Sequence, residues 1–82
     1  MVSEVALPAD LVAAVEQAAP RAVALRRDLH RIPEPSGREV KTAARVAEEL
    51  ARLGLAARTG VGDTGITADL VTGRPGPYVL LR

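Results

Sequence analysis

Residues 36–54, S-G-R-E-V-K-T-A-A-R-V-A-E-E-L-A-R-L-G, predict an amphipathic helix over about residues 37–53. Ser36 and Glu39 have the spacing of a capping box at its start, and Gly54 is typical of the residue that follows a helix. Along the polar face, Arg45–Glu49 and Glu48–Arg52 are spaced for ion pairs. Apolar residues recur every three or four positions and define the opposite face: Val40, Ala43, Ala44, Ala47, Leu50 and Ala51.

A second helical pattern precedes this one, over about residues 10–32, and residues 1–9 are expected to form an N-terminal tail. Asp10 is a suitable N-cap, and Pro33 disfavours helical geometry at the residue before it. Pro20 allows either one kinked helix or a pair of helices, which we expect to be nearly coaxial. The apolar stripe is formed by Leu11, Val15, Ala18, Ala22, Leu25, Leu29 and Ile32.

After Gly54 the helical period is lost, and short apolar stretches alternate with turns rich in glycine and proline. We expect strands over about residues 55–59, 66–72 and 78–82, arranged as a meander. The order of two helices followed by three strands predicts an α+β fold.

Composition excludes several functional classes. The chain has 82 residues, 48% of them hydrophobic, with 11 basic and 10 acidic side chains and no cysteine. This length is enough for one small domain. Without cysteine the chain can form neither a disulfide nor a thiolate site. A net charge of +1 gives no reason to expect nucleic acid or an anionic membrane as a partner. The apolar runs are too short to span a membrane, and residues 1–4 lack the basic start of a signal peptide, so we expect a cytoplasmic protein.

The apolar content is unusual in kind. Fifteen residues are alanine, there is one tyrosine, and phenylalanine and tryptophan are absent. Alanine buries little area, so the sequence predicts a thin core and a chain that packs against something else.

Several features could suggest chemistry, and each has a simpler explanation. His30 is the single histidine and is expected to be solvated, because zinc sites need about three protein ligands. Residues 60–65, G-V-G-D-T-G, fit the glycine pattern of dinucleotide sites, but a strand-like alternation follows where a helix is required, so we expect a hairpin loop.

Two clusters of charge are also weak candidates. Glu48 and Glu49 point about 100° apart on a helix, so they cannot converge on one substrate atom. Arg26, Arg27 and Arg31 are interleaved with acidic residues and have no aromatic neighbour, so nucleic-acid binding is not expected.

The segment L-R-R-D-L-H-R-I-P-E-P-S at residues 25–36 resembles the opening motif of the zinc amidohydrolases related to hippurate hydrolase, aminoacylases and auxin-conjugate hydrolases, which reads L-R-R-D-L-H-x-H-P-E-L-S. Ile32 and Pro35 stand where that family often has histidine and leucine. The resemblance continues, in the family's order, through residues 42–50, 53–55, 58–65, 68–70 and 73–82.

The resemblance implies that residues 10–82 are the incomplete N-terminal part of an α/β catalytic domain. Members of this family cleave amide bonds of N-acyl amino acids or similar small molecules, with a zinc-bound water as nucleophile and a glutamate as general base. Their metal ligands and catalytic glutamates lie beyond the matching segment. We therefore predict no catalytic, cofactor-binding or metal-binding residue in this chain, and zinc only in the complete enzyme.

The expected partner is the remainder of the catalytic domain, and the chain alone is expected to be inactive. The last strand would have a free edge, so the isolated chain should be molten, oligomeric or quickly degraded. The alternative is a stand-alone interaction module, or a piece of a split enzyme, that pairs through its exposed sheet edge.

Overall fold

The computed structural model describes residues 7–82, so most of the predicted tail over residues 1–9 lies outside the described residues. The chain divides into two compact units, one ending at Pro33 and the other spanning Glu34–Arg82. The described elements are α1 (Ala9–His30), α2 (Val40–Arg52), β1 (Ala57–Val61) and β2 (Gly65–Ala68). Two helices and a two-stranded sheet are consistent with the expected α+β class.

The first unit contains α1, a single helix of 22 residues that continues through Pro20. Of the two arrangements that Pro20 allowed, the structure therefore has one helix. The predicted N-cap at Asp10 is wrong by two positions, because Pro8 precedes the helix and its carbonyl accepts the amides of Leu11 and Val12 at 3.1 Å. Asp10 lies in the first turn, where its charge still complements the helix dipole.

The helix α2 starts at Val40, three residues after the predicted start. Gly37 has φ +83°, in the left-handed region, so the chain cannot be helical there. Glu39 occupies the N-cap position, and its Oε1 accepts the Gly37 amide at 2.8 Å. The predicted capping box with Ser36 is therefore wrong.

The C-terminal end of α2 agrees with the sequence. Gly54 has φ +76°, its amide donates to the Ala51 carbonyl at 3.0 Å, and the Leu55 amide donates to the Leu50 carbonyl at 2.9 Å. These two bonds form a Schellman motif, which requires the left-handed geometry that glycine adopts without strain. The prediction of Gly54 as the residue after the helix is confirmed.

The strands β1 and β2 form an antiparallel hairpin in which Ala57 pairs with Ala68, Arg58 with Thr67 and Val61 with Gly65. Between the last two pairs β1 has one more residue than β2, and Gly60, with φ +71°, lies in this bulge. The first strand is shifted two residues towards the C-terminus from the predicted 55–59. The second ends at Ala68 rather than residue 72.

The predicted third strand over residues 78–82 is wrong, because these residues form no strand. A strand requires backbone hydrogen bonds to a neighbour, and the described part of the chain offers none there. Tyr78 and Leu80 are 81% and 92% exposed.

The second unit is held together by α2, which packs against both strands. Val46, Leu50, Leu55 and Ile66 are half-buried between these elements. Among the described residues no hydrophobic side chain is fully buried, and the one buried residue is Glu49. This agrees with the thin core predicted from the alanine content.

Candidate functional site

Three carboxylates of the second unit have well-defined partners, and the first is Glu34, in the segment before α2. Its Oε1 accepts the Thr42 amide at 2.6 Å and the Thr42 hydroxyl at 2.9 Å, and its Oε2 accepts the Lys41 amide at 3.1 Å. These amides belong to the first turn of α2, which has no partner for them within the helix. Glu34 therefore caps α2 from outside the helix.

The second carboxylate, Glu39, connects α2 to the hairpin. Its Oε2 accepts the Thr64 hydroxyl at 2.6 Å, and Thr64 lies in the turn between β1 and β2. The same carboxylate accepts the Gly37 amide through Oε1. One side chain thus links the turn before α2 with the hairpin turn 25 residues later.

Hydrogen bonding favours the ionised form of both groups. The bond from the Thr42 amide lowers the pKa of Glu34 below its ordinary value of 4.5, although desolvation opposes this shift. The bond from the Thr64 hydroxyl lowers the pKa of Glu39 below 4.5 in the same way. Carboxyls held in their ionised form are poorly suited to act as general acids at neutral pH.

The third carboxylate, Glu49, is buried on α2 and forms ion pairs with arginines of the same helix. Its Oε2 lies 3.4 Å from Arg45 Nη1, and its Oε1 lies 2.7 Å from Arg52 Nη2. The predicted pair Arg45–Glu49 is confirmed. The predicted pair of Arg52 with Glu48 is wrong, since Arg52 reaches Glu49, three residues away, where its guanidinium donates through Nε as well.

In the described part of the chain, the residues that could suggest chemistry form neither a metal cluster nor a carboxylate pair. His30 is exposed on α1, in a shallow depression that it shares with arginines of the same helix. Glu48 is exposed, whereas Glu49 is buried, so the two do not form a carboxylate pair. Within residues 7–82 no three histidine, cysteine, aspartate or glutamate side chains lie close enough together to hold a metal ion.

Residues 60–65 contain the end of β1, the connecting residues 62–64 and the start of β2, as predicted for a hairpin. The turn at its centre contains Gly62 and Asp63, with φ of +55° and +80°. The residues that follow form β2 and not the helix of a dinucleotide site.

Sequence analysis missed Glu34 and Thr64. Both lie outside the helix that they support, so no helical period points to them. The signal for Glu34 was its place in the P-E-P segment that resembles the amidohydrolase motif, and Thr64 had no comparable signal.

Large exposed hydrophobic side chains are the other notable feature of the described surface. They occur on α1, where no residue is buried, and along the segment after β2. The most exposed are Leu70, Val71, Tyr78, Val79, Leu80 and Leu81, each more than 70% exposed. Exposed apolar side chains in such numbers are typical of interaction surfaces. No helix in the described range is both long enough and apolar enough to cross a bilayer.

Curated relatives with hydrolase names match the chain. A protein of Bacillus subtilis (strain 168) named as an amidohydrolase, YhaA, is 45% identical over 60 residues, which cover 73% of this chain and 15% of that protein. A Synechocystis protein named as a hydrolase, sll0100, is 47% identical over 51 residues, 62% of this chain and 13% of its own length. Thermostable carboxypeptidase 1 of Saccharolobus solfataricus is 38% identical over 61 residues, 73% of this chain and 16% of the enzyme.

These matches support an amidohydrolase and peptidase family for the chain. The matched residues span only 13–16% of the length of these relatives. No family model matches the chain, and no solved structure matches it significantly.

Proposed function

We propose that this chain supplies a structural segment of the catalytic domain of a metal-dependent amidohydrolase of the hippurate hydrolase and aminoacylase type. The observation that carries the proposal is the 45% identity over 60 residues with the B. subtilis protein named as an amidohydrolase. The motif at residues 25–36 supports the narrower assignment, with N-acyl amino acids or similar amides as substrates. The cytoplasmic location expected from the sequence stays a prediction.

The polar contacts of the second unit support a scaffold role. Glu34, Glu39 and Glu49 each bind donors of the protein itself, namely helix amides, a threonine hydroxyl and two arginines. Glu39 fixes α2 against the hairpin, whereas Glu34 and Glu49 stabilise α2 itself. Carboxylates engaged in this way are not available to activate water. We therefore expect no hydrolysis by the chain alone.

Zinc is implied only by the resemblance. The donor set of residues 7–82 does not fit a zinc site, since no cluster of three ligating side chains forms there and a zinc site uses about three or four. We assign no metal ligand and no catalytic group to this chain. In the complete enzyme, both would come from other residues.

The exposed apolar segment after β2 supports the remainder of the catalytic domain as partner. Tyr78, Val79, Leu80 and Leu81 are apolar at consecutive positions, a pattern typical of a strand buried on both faces of a parallel sheet. All four are at least 80% exposed in this chain. Further strands of the complete domain would pair with this segment and cover both of its faces.

A chimera tests this proposal. The matching residues of the B. subtilis relative are replaced by those of this chain, and cleavage of hippurate and other N-acyl amino acids is measured with added zinc. We expect the chimera to retain metal-dependent amide hydrolysis. A chimera carrying Glu34→Ala is the matched control, since loss of the α2 cap should reduce the amount of folded enzyme without changing KM. A folded wild-type chimera that cleaves no amide would contradict the proposal, and so would zinc-dependent hippurate cleavage by the purified 82-residue chain.

A stand-alone interaction module, or a piece of a split enzyme, is the second candidate, and the exposure of Tyr78–Leu81 favours it. A split enzyme and an interaction module are distinguished by co-expressing this chain with a B. subtilis relative from which the residues that match this chain have been deleted. Hydrolysis restored by complementation would support a split enzyme. Binding without hydrolysis would support an interaction module.

A further inference from the structure

The C-terminal end of α1 and its C-cap residue carry four side chains that can donate hydrogen bonds to an anion. Arg26, Arg27, His30 and Arg31, here called the α1 basic cluster, line one shallow depression together with Val23 and Leu29. Residues four apart on a helix lie on the same face, so Arg26 and His30 share one row, and Arg31, at the C-cap, follows Arg27 in the neighbouring row. The cluster therefore presents guanidinium and imidazole N–H groups around a common space.

Within α1, the acids do not balance the charge of this cluster, and Glu34, the next acid along the chain, belongs to the second unit and binds the first turn of α2. Asp28 is the one acid among these residues, and it binds Arg31 at 3.3 Å. The other acids in the described part of α1 are Asp10 and Glu16, and Glu16 precedes Arg26 by ten residues. That separation corresponds to about 15 Å along the axis, beyond the Debye length of about 8 Å at physiological ionic strength. Three arginines and one aspartate leave a local charge of +2 with His30 neutral.

The helix dipole explains only part of this arrangement. It favours cations in the last turn, which accounts for Arg27 and His30. Arg26 lies before that turn, and the spacing of Arg27 and Arg31 places like charges at i and i+4, where they repel. An anion between the rows would remove this repulsion.

We propose that the α1 basic cluster binds a small, multiply charged oxyanion of the phosphate or carboxylate type. Guanidinium groups bind both classes through paired N–H donors. The Arg31 side chain is 74% exposed, so solvent weakens each contact. We expect a dissociation constant on the order of 1 mM. A ligand with this affinity occupies the site when its cellular concentration is similar, as for an abundant metabolite or a substrate carboxylate. This site lies outside the contacts that support the scaffold role and does not depend on it.

Equilibrium dialysis of the 82-residue chain against radiolabelled inorganic phosphate tests the proposal directly. Ionic strength is held constant with sodium chloride, so that general screening does not change along the titration. We expect saturable binding of one phosphate per chain. A second experiment adds citrate to distinguish the two classes of ligand. If citrate displaces phosphate, the site binds carboxylates as well as phosphates. If citrate does not displace it, the site is specific for phosphates.

Matched variants locate the site. Arg26→Gln with Arg27→Gln removes two charges from the cluster, and Arg58→Gln with Arg74→Gln removes the same charge from exposed positions of the second unit. We expect the first variant to bind phosphate at least about tenfold more weakly and the second to stay within about twofold of the original chain. An equal loss in both variants, or no saturation in the original chain, would overturn the proposal.

Chemical modification provides a readout that does not depend on the folding of a variant. Phenylglyoxal modifies accessible arginines, and the extent of modification at each site is measured by mass spectrometry with and without phosphate. We expect phosphate to protect Arg26 and Arg27 and to leave Arg58 and Arg74 unprotected. Equal protection of all four would show that phosphate acts on the reagent or on the whole surface, and the proposal would be wrong.

Discussion

The hydroxyl of Thr64 donates a 2.6 Å hydrogen bond to Oε2 of Glu39, and this contact joins the N-terminus of α2 to the turn between β1 and β2. The two residues are 25 positions apart, so the bond closes a loop that contains the whole of α2 and β1. Both are half-buried. Because α2 and the hairpin share few buried apolar groups, this polar contact is important for their relative position.

Removing the Thr64 hydroxyl should loosen the hairpin from α2. Thr64→Val keeps the size of the side chain but removes the donor, so Glu39 loses its one hydrogen bond to the hairpin turn. We expect the amides of the paired residues Val61 and Gly65 to exchange with solvent about three to ten times faster, measured by NMR or mass spectrometry. Thr59→Val, at an exposed position of β1, is the control and should leave their exchange unchanged.

The stability of the second unit should decrease at acid pH. The pKa values of Glu34 and Glu39 are both lowered from 4.5 by hydrogen bonds in the folded chain. A lowered folded pKa means that the stabilisation is fully present above the unfolded pKa and is lost as pH falls through the folded value. We expect helical circular dichroism to be constant above about pH 5 and to fall below about pH 4.5.

The double variant Glu34→Gln, Glu39→Gln tests the cause of this pH dependence. It should show lower helicity at neutral pH and a weaker change between neutral and acid pH. Glu16→Gln, at an exposed position of α1, is the matched control, and it should keep the original profile. If the double variant lost helicity at acid pH as steeply as the original chain, other groups would be responsible.

Periodicity and turn chemistry predicted those parts of the fold that depend on neighbouring residues. The two helices, the hairpin at residues 60–65 and the Gly54 motif all arise from interactions within a few positions. The start of α2 was mispredicted, because the left-handed Gly37 prevents the Ser36 cap and Glu34 supplies it from a preceding segment. The third strand was mispredicted for a different reason: strand formation at residues 78–82 needs a neighbour that is distant in sequence.

For the candidate site, too, local features were predicted and a contact between distant residues was not. The hairpin interpretation of residues 60–65 followed from the strand-like alternation after them and is confirmed. The contact of Glu39 with Thr64 could not be predicted, because it depends on how α2 lies against the hairpin. No local pattern encodes that arrangement.

Replacing Gly54 should destabilise the end of α2. With φ +76°, Gly54 adopts a conformation that costs an alanine about 1–2 kcal/mol. An added Cβ meets no atom within 4 Å, so the cost is conformational and not steric contact with the rest of the unit. We expect Gly54→Ala to lower the free energy of unfolding by about 1 kcal/mol and Gly54→Asn by less, because asparagine tolerates this region. Urea titration followed by circular dichroism measures both, and equal losses would contradict this explanation.

Self-association of the isolated chain should depend on the segment after β2. Val79 and Leu81 are 80% and 90% exposed, and they belong to an apolar run with no charge between residues 78 and 81. Such a run pairs readily with a second copy as an added strand. The hydrogen bond of Glu39 with Thr64 and the packing of α2 on both strands favour an associated chain over a molten one. We expect the original chain to sediment as an oligomer, and Val79→Lys with Leu81→Lys to shift it towards the 8.6 kDa monomer.

Val12→Lys with Val15→Lys places the same charge on exposed positions of α1 and should have a smaller effect, since a helix offers no free backbone donors for strand pairing. If the original chain sedimented as a monomer and unfolded cooperatively, residues 78–81 would be stable without a pairing partner. That result would also weaken the proposal that the remainder of a catalytic domain binds them.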